Sequence, residues 1–175
     1  PSGATFTADE LVLAGIELEI AFRVEQPLPP PEAPDFIDRL RRAVVAVPAI
    51  EVVDTRLAFH ATCDDLTKLA DNQFNAGLVV GAPLTDWQEL NLTDPDHTFH
   101  ASETIISAGA GKVPGGSAFA SLAAFAGIVG DHCGGLRPGQ YVTTGALSGL
   151  HWIDKGRHVS GRIDGLGPVE VVIDG

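Results

Sequence analysis

Two acids stand inside an apolar run, in Gly15-Ile16-Glu17-Leu18-Glu19-Ile20-Ala21-Phe22. Read as a strand, the run puts Ile16, Leu18, Ile20 and Phe22 on one face and Gly15, Glu17, Glu19 and Ala21 on the other. Like charges on one face repel, and burying them unpaired is costly, so something positive is expected in front of them. Carboxylate oxygens suit a hard divalent cation, Mg²⁺ or Mn²⁺. The alternative is an edge strand with two solvated glutamates, and this stretch alone slightly favours it. A third acid, Glu51, lies between Ile50 and Val52, with Ala49 and Val53 as its neighbours on the same face. Glu17, Glu19 and Glu51 together would form an all-carboxylate Mg²⁺ site completed by water or substrate. The spacing permits this site without requiring it, because the sequence does not reveal whether the two strands pair.

Other chemistry is poorly supported. His97 and His100 are three apart, but Asp94-Pro95-Asp96 before them indicates a turn and strand, which would send the two rings to opposite faces. His60, His151 and His158 have no partner recognisable in the sequence, and a zinc site is not expected. Gly109-Ala110-Gly111-Lys112 lacks the Ser or Thr that follows the lysine of a phosphate loop. Ser148 lacks the glycine spacing of a nucleophile elbow and any evident base.

The elements that must hold the acids follow from composition and punctuation. The chain of 175 residues is long enough for one domain with a sizeable core, expected to span 1–175. Its 20 glycines and 12 prolines favour a strand-rich fold over a helical bundle. A net charge of -12 supplies no basic stripe, so neither nucleic acid nor an anionic membrane is an expected partner. Cys63 and Cys133 are too far apart in sequence for a redox or metal-spaced pair and read as reduced thiols of a cytoplasmic protein. A strand is expected over 15–24, followed by a stiff proline-rich connector over 27–34. Asp35 reads as the N-cap of a helix carrying Phe36, Ile37, Leu40, Val44 and Val47 and closed by Pro48. Then come a short strand over 49–53, a loop or irregular helix over 55–69, and strands near 76–81, 88–92 and 98–107. Ser117 opens a second, alanine-rich helix; a strand over 141–144 follows, and Gly165 and Gly167 join a closing hairpin of 158–163 and 168–173.

Three blocks, Gly15-Ile16-Glu17-Leu18-Glu19-Ile20-Ala21-Phe22, Pro48-Ala49-Ile50-Glu51-Val52-Val53-Asp54-Thr55-Arg56 and Ala70-Asp71-Asn72, resemble the fumarylacetoacetate hydrolase superfamily. Later landmarks agree in order: Leu136-Arg137-Pro138-Gly139, Val142-Thr143-Thr144-Gly145-Ala146 and Asp164-Gly165-Leu166-Gly167-Pro168-Val169. The nearest branch is that of the 2-keto-4-pentenoate hydratases and 4-oxalocrotonate decarboxylases. The resemblance implies an α+β, mostly β fold, a mixed β-roll or barrel-like structure of the fumarylacetoacetase C-terminal type with two helices. It implies Glu17, Glu19 and Glu51 as ligands of Mg²⁺ or Mn²⁺, Asp71 and Thr144 as catalytic-site residues, and Asn72 and Gly145 as substrate contacts. In the family a 2-oxo acid is gripped through its carboxylate and 2-oxygen, and the developing enolate is stabilised electrostatically.

The implied activity is a hydratase adding water to a short unsaturated 2-oxo or 2-hydroxy acid such as 2-hydroxypenta-2,4-dienoate, an intermediate of aromatic catabolism. A decarboxylase of the 4-oxalocrotonate type and a non-catalytic partner are the alternatives. Association is expected as a homo-oligomer or with a related family subunit. The sequence departs from the family in three places. The family's amino-terminal segment, with its acid–base lysine and acid, is expected to be missing; Phe74 replaces a small residue; and Gly116-Ser117 replaces a polar-proline pair. Hydrolysis of an acylpyruvate is less consistent, since no upstream histidine–glutamate pair is seen.

Overall fold

The computed structural model describes residues 1–7, 9–58 and 62–175, so His60 lies outside the described residues. Its elements are β1 (Ala4–Phe6), β2 (Gly15–Val24), α1 (Phe36–Ala43), β3 (Val44–Val53), α2 (Asp65–Ala70), β4 (Asn75–Val80), β5 (Asp96–Ala101), β6 (Thr104–Ala110), α3 (Ala118–Val129), β7 (Tyr141–Ala146), β8 (His151–Trp152), β9 (Arg157–Ile163) and β10 (Gly167–Ile173). One sheet has the order β1-β10-β9-β5-β6, and the other β4-β3-β2-β7 with β8 also on β2. Among the described residues only β1 runs parallel to its neighbour, which makes the first sheet mixed.

Alternation along β2 decides how the sheets stack. Ile16, Leu18, Ile20 and Phe22 are fully buried and join Ile50 and Val52 of β3 against Val159, Ile163, Val169, Val171 and Ile173 of the facing sheet. Burying side chains of this size contributes roughly 1.5–3 kcal/mol each. The sheets pack closely at Gly161, where a Cβ would lie 2.4 Å from Leu18 Cδ1. At one end Phe22 meets Trp87 edge-on, with ring centroids 5.1 Å apart, and Trp87 donates its indole N–H to the Val44 carbonyl at 3.1 Å. Packing of α3 against β7 and β2 closes this end through Phe119 and Leu122.

The fold is mostly β, as the sequence implied, but the two sheets do not close into a barrel and the helices number three among the described residues. The additional helix, α2, lies in the stretch read as loop or irregular helix, and the Asp64 side chain caps it by accepting from Thr67 N at 2.8 Å. Helix α1 ends at Ala43, four residues short of the expected Val47. Val44 to Val47 instead open β3, opposite Val24 to Ala21, because a β-branched run beside a long partner strand fits the sheet better than a helix end. Pro48 therefore sits inside a strand. Its carbonyl accepts from Gly81 N, so its missing N–H faces the side where β4 has already ended, and pairing with β2 is undisturbed.

Residues 88–92 form no strand; Leu90 N donates to Trp87 O in a turn that places the Trp87 ring in the core. The segment expected as one strand over 98–107 is a hairpin, broken at Ser102, whose φ is 52°. Neither Asp35 nor Ser117 makes a side-chain cap bond. No helix among the described residues is long and apolar enough to cross a membrane.

Candidate metal centre

The three glutamates meet because β2 and β3 pair. Glu17 lies directly opposite Glu51, and Glu19 opposite Ala49, on the face of the sheet turned away from the main core. Small side chains surround them on that face: Ala21, Val47 and Ala49 form a separate buried patch with Leu78 and Val80. Ligand oxygens of Glu17, Glu19 and Glu51 all fall within 4.8 Å of one another. β2 is a central strand rather than an edge, so the solvated reading of its acids does not apply: Glu19 is only 2% exposed and the other two are half-buried.

A β-bulge supplies the hydrogen bonds. Register between β2 and β7 shifts between Glu19 and Ala21, leaving one extra residue on β7. Such a bulge bends the strand and re-aims its groups. Here it turns two successive amides, Thr144 N at 3.1 Å and Gly145 N at 2.8 Å, onto the same oxygen of Glu19. Gly145 has φ 96°, and a Cβ there would lie 2.6 Å from Pro114 Cγ, so the position requires glycine. The Thr144 hydroxyl donates inward to Ile20 O at 2.7 Å, pinning β7 to β2.

Burial and mutual repulsion set the electrostatics of the cluster. Burial pushes the Glu19 carboxyl up from 4.5 to about 8, helped by Glu51 and Glu17 and opposed by the Gly145 amide. Glu17 is raised as well, by burial first and then by Glu51. Three converging acids, all oxygen donors and with two of them driven towards protonation, fit a hard divalent cation, which would replace the protons as counter-charge. Glu17, Glu19 and Glu51 are the residues that would hold it.

Asp71 is linked to this cluster through Arg56 and Asn75. Both its oxygens are engaged: Oδ1 accepts from Arg56 Nε, and Oδ2 accepts from the Thr55 hydroxyl at 3.1 Å and Arg56 N at 3.2 Å. The Arg56 hydrogen bond, above all, holds its carboxyl below the usual range. Arg56 in turn donates to Asn75 O at 3.0 Å, and Asn75 Nδ2 donates to Glu51 Oε1 at 2.7 Å. Asn72 is exposed at the left-handed turn between α2 and β4, with φ 54°. Thr144 and Gly145 thus lie on Glu19, whereas Asp71 reaches Glu51 only through Arg56 and Asn75. Asn75 escaped the sequence reading, because strand alternation puts it on the wrong face.

The described histidines lie apart from the cluster's bonds. His97 is buried, its Nε2 2.7 Å from Ser107 Oγ and its Nδ1 without a partner. His158 meets Glu170 at 3.2 Å. His151 lies 3.1 Å from Ser148 Oγ, a base within reach that the sequence did not reveal. A cleft of about 740 Å³ lies elsewhere, between the proline run at Pro29 to Pro31 and the segment around Leu136 and Arg137.

The chain has relatives of known activity. It is 23% identical over 169 residues to a 4-oxalocrotonate decarboxylase of Pseudomonas putida, covering 97% of this chain and 63% of the relative. It is 30% identical over 164 residues to a 2-keto-4-pentenoate hydratase of Burkholderia vietnamiensis, covering 91% and 60%. No family model matches the chain. Among solved structures, 4-oxalocrotonate decarboxylase from Pseudomonas putida G7, complexed with magnesium and adipate, superposes with a TM-score of 0.79 at 21% identity over 98% of this chain and 65% of that one. A fumarylacetoacetate hydrolase family protein from Yersinia pestis CO92 gives 0.67 at 15% identity, over 98% and 76%. The chain spans less than two thirds of the length of these two relatives, 63% and 60%.

Proposed function

We propose, for a chain whose relatives and structural neighbours are those of the fumarylacetoacetate hydrolase superfamily, a divalent-metal-dependent lyase activity: addition of water to a short unsaturated 2-oxo or 2-hydroxy acid such as 2-hydroxypenta-2,4-dienoate. The observation that carries this reading is the convergence of Glu17, Glu19 and Glu51, with ligand oxygens within 4.8 Å, on one sheet face. Mg²⁺ or Mn²⁺ held there would supply Lewis-acid stabilisation of negative charge on the 2-oxygen of the substrate. The chain's own residues do the rest by positioning. Thr144 N and Gly145 N hold the Glu19 carboxylate, and the buried Thr144 hydroxyl holds the strand that carries them.

Asp71, with both oxygens engaged and its proton disfavoured, enters as the anchor of Arg56 rather than as a proton carrier. Asn72, exposed beside it, is the substrate contact proposed on that side. Proton transfer therefore calls for groups other than Asp71 and Thr144. The family resemblance assigns these to an amino-terminal segment. A cytoplasmic setting and association with a second copy or a related subunit complete the reading.

Decarboxylation is the second reading, supported by the decarboxylases among the sequence and structural matches. The test is a pair of assays on the full chain with Mg²⁺ or Mn²⁺: loss of dienoate absorbance, and carbon dioxide release from 4-oxalocrotonate. Dienoate consumption that EDTA and Glu19→Gln both abolish is expected. Carbon dioxide release alone would shift the reading to decarboxylation, and metal-independent activity would overturn both.

A further inference from the structure

The β3–β4 register breaks once, between Val52 and Val53, and Asn75 lies at the break. Leu78 pairs with Glu51 and Gly77 with Val52, but Asn75, not Ala76, pairs with Val53. In unbroken register Asn75 would fall opposite Asp54 and point to the face away from the glutamates. The extra residue moves it to the face of Glu51 and Val53, where its amide donates to Glu51 Oε1 at 2.7 Å. The backbone leading into it is held in the same attitude: Asn72, Gln73 and Phe74 have φ of 54°, 54° and 66°, a left-handed run that non-glycine residues seldom adopt. Arg56, tied to Asp71 by side chain and by backbone, clamps Asn75 from the other side through its carbonyl at 3.0 Å.

We infer that Asn75 is a positioning residue for the cation site, fixing the Glu51 carboxylate through Oε1 so that Oε2 is the oxygen turned to a divalent cation, and that the Asp71–Arg56 pair acts through it. The inference rests on the metal-binding reading above. It completes a symmetry of construction. Glu19 on the inner strand is fixed by a bulge in β7, and Glu51 on its neighbour by a bulge in β4, each leaving a second oxygen of its carboxylate for the site. An amide suits the task, because it donates to a carboxylate without adding charge to a cluster that already carries three acids.

The test measures Mn²⁺ affinity of the full chain by electron paramagnetic resonance or calorimetry, beside the thermal midpoint of the EDTA-treated protein. Asn75→Ala is expected to weaken Mn²⁺ binding by about 10–100-fold, the usual effect of removing a partner that orients a ligand. Its metal-free midpoint should stay near that of the parent, and Asn75→Gln, which keeps the donor, should recover part of the affinity. Asn75→Leu, close in volume and without a donor, gives the same comparison if the alanine variant does not fold. Parent-like affinity in whichever of Asn75→Ala and Asn75→Leu folds would overturn the role of Asn75 and leave the metal site standing. A parent chain that binds no Mn²⁺ would overturn the site itself, and the inference with it.

Discussion

The metal-free protein should lose stability as pH rises from about 5 to about 8, and Glu19 is the reason. Its carboxyl moves from 4.5 to about 8 on folding, because burial penalises the charged form. Between those values the folded state binds a proton that the unfolded chain has released, so each step upward in pH favours unfolding. The whole shift corresponds to roughly 5 kcal/mol. Relaxation and water entry around the charged form reduce such penalties in real proteins, so a loss of about 2–3 kcal/mol is expected. For a chain of this length that is about 5–10 °C in thermal midpoint. Glu17, raised by burial and by Glu51, adds in the same direction. Asp71 works oppositely and elsewhere. Its carboxyl is lowered, so its contribution is in place above 3.8 and is lost only on further acidification, outside this window.

The assay is circular dichroism melting at several pH values, with EDTA and then with Mg²⁺. The EDTA series should fall with pH. Mg²⁺ should recover the midpoint at pH 8, because a bound cation replaces the protons. Glu19→Gln should remove most of the slope and melt higher than the metal-free parent at pH 8. A metal-free midpoint that is flat or rises with pH, with no difference between parent and Glu19→Gln, would refute the reasoning.

Two further substitutions separate fold from site. Gly161→Ala drives a methyl group to 2.4 Å from Leu18 Cδ1 where the two sheets pack; it should cost ~1–3 kcal/mol in denaturant unfolding, and less than that when introduced into a Leu18→Ala background. Gly145→Ala must leave its φ of 96° or displace Pro114, taking the 145 amide off Glu19; Mn²⁺ affinity by calorimetry should fall about tenfold or more.

Much of the site was legible because strand alternation is a local rule. Gly15 to Val24 formed the expected strand, with Ile16, Leu18, Ile20 and Phe22 turned inward, and Glu51 arrived on the face that its neighbours indicated. What the sequence did not disclose was non-local. Helical spacing carried α1 on to Val47, since the competing influence was a partner strand 20 residues earlier in the chain, with Val24 opposite Val44. Pro48 read as a terminator, and only the early end of β4 explains how it sits in a strand. Asn75 was invisible for a related reason. A bulge reverses the alternation on which face assignment depends, and one extra residue in β4 leaves no mark in residue type. The Asp71–Arg56 pair likewise joins two motifs that the sequence presents separately.

The central claim is that Glu17, Glu19 and Glu51 hold a divalent cation. Crystals of the full chain soaked in Mn²⁺, with diffraction recorded at a wavelength where manganese scatters anomalously, test it most directly. One anomalous peak is expected at coordination distance from an oxygen of each of the three glutamates, with the Thr144 and Gly145 amides still on Glu19 and the Asn75 amide still on Glu51. A peak at any other acidic cluster, or ordered glutamates with no peak between them, would contradict the account.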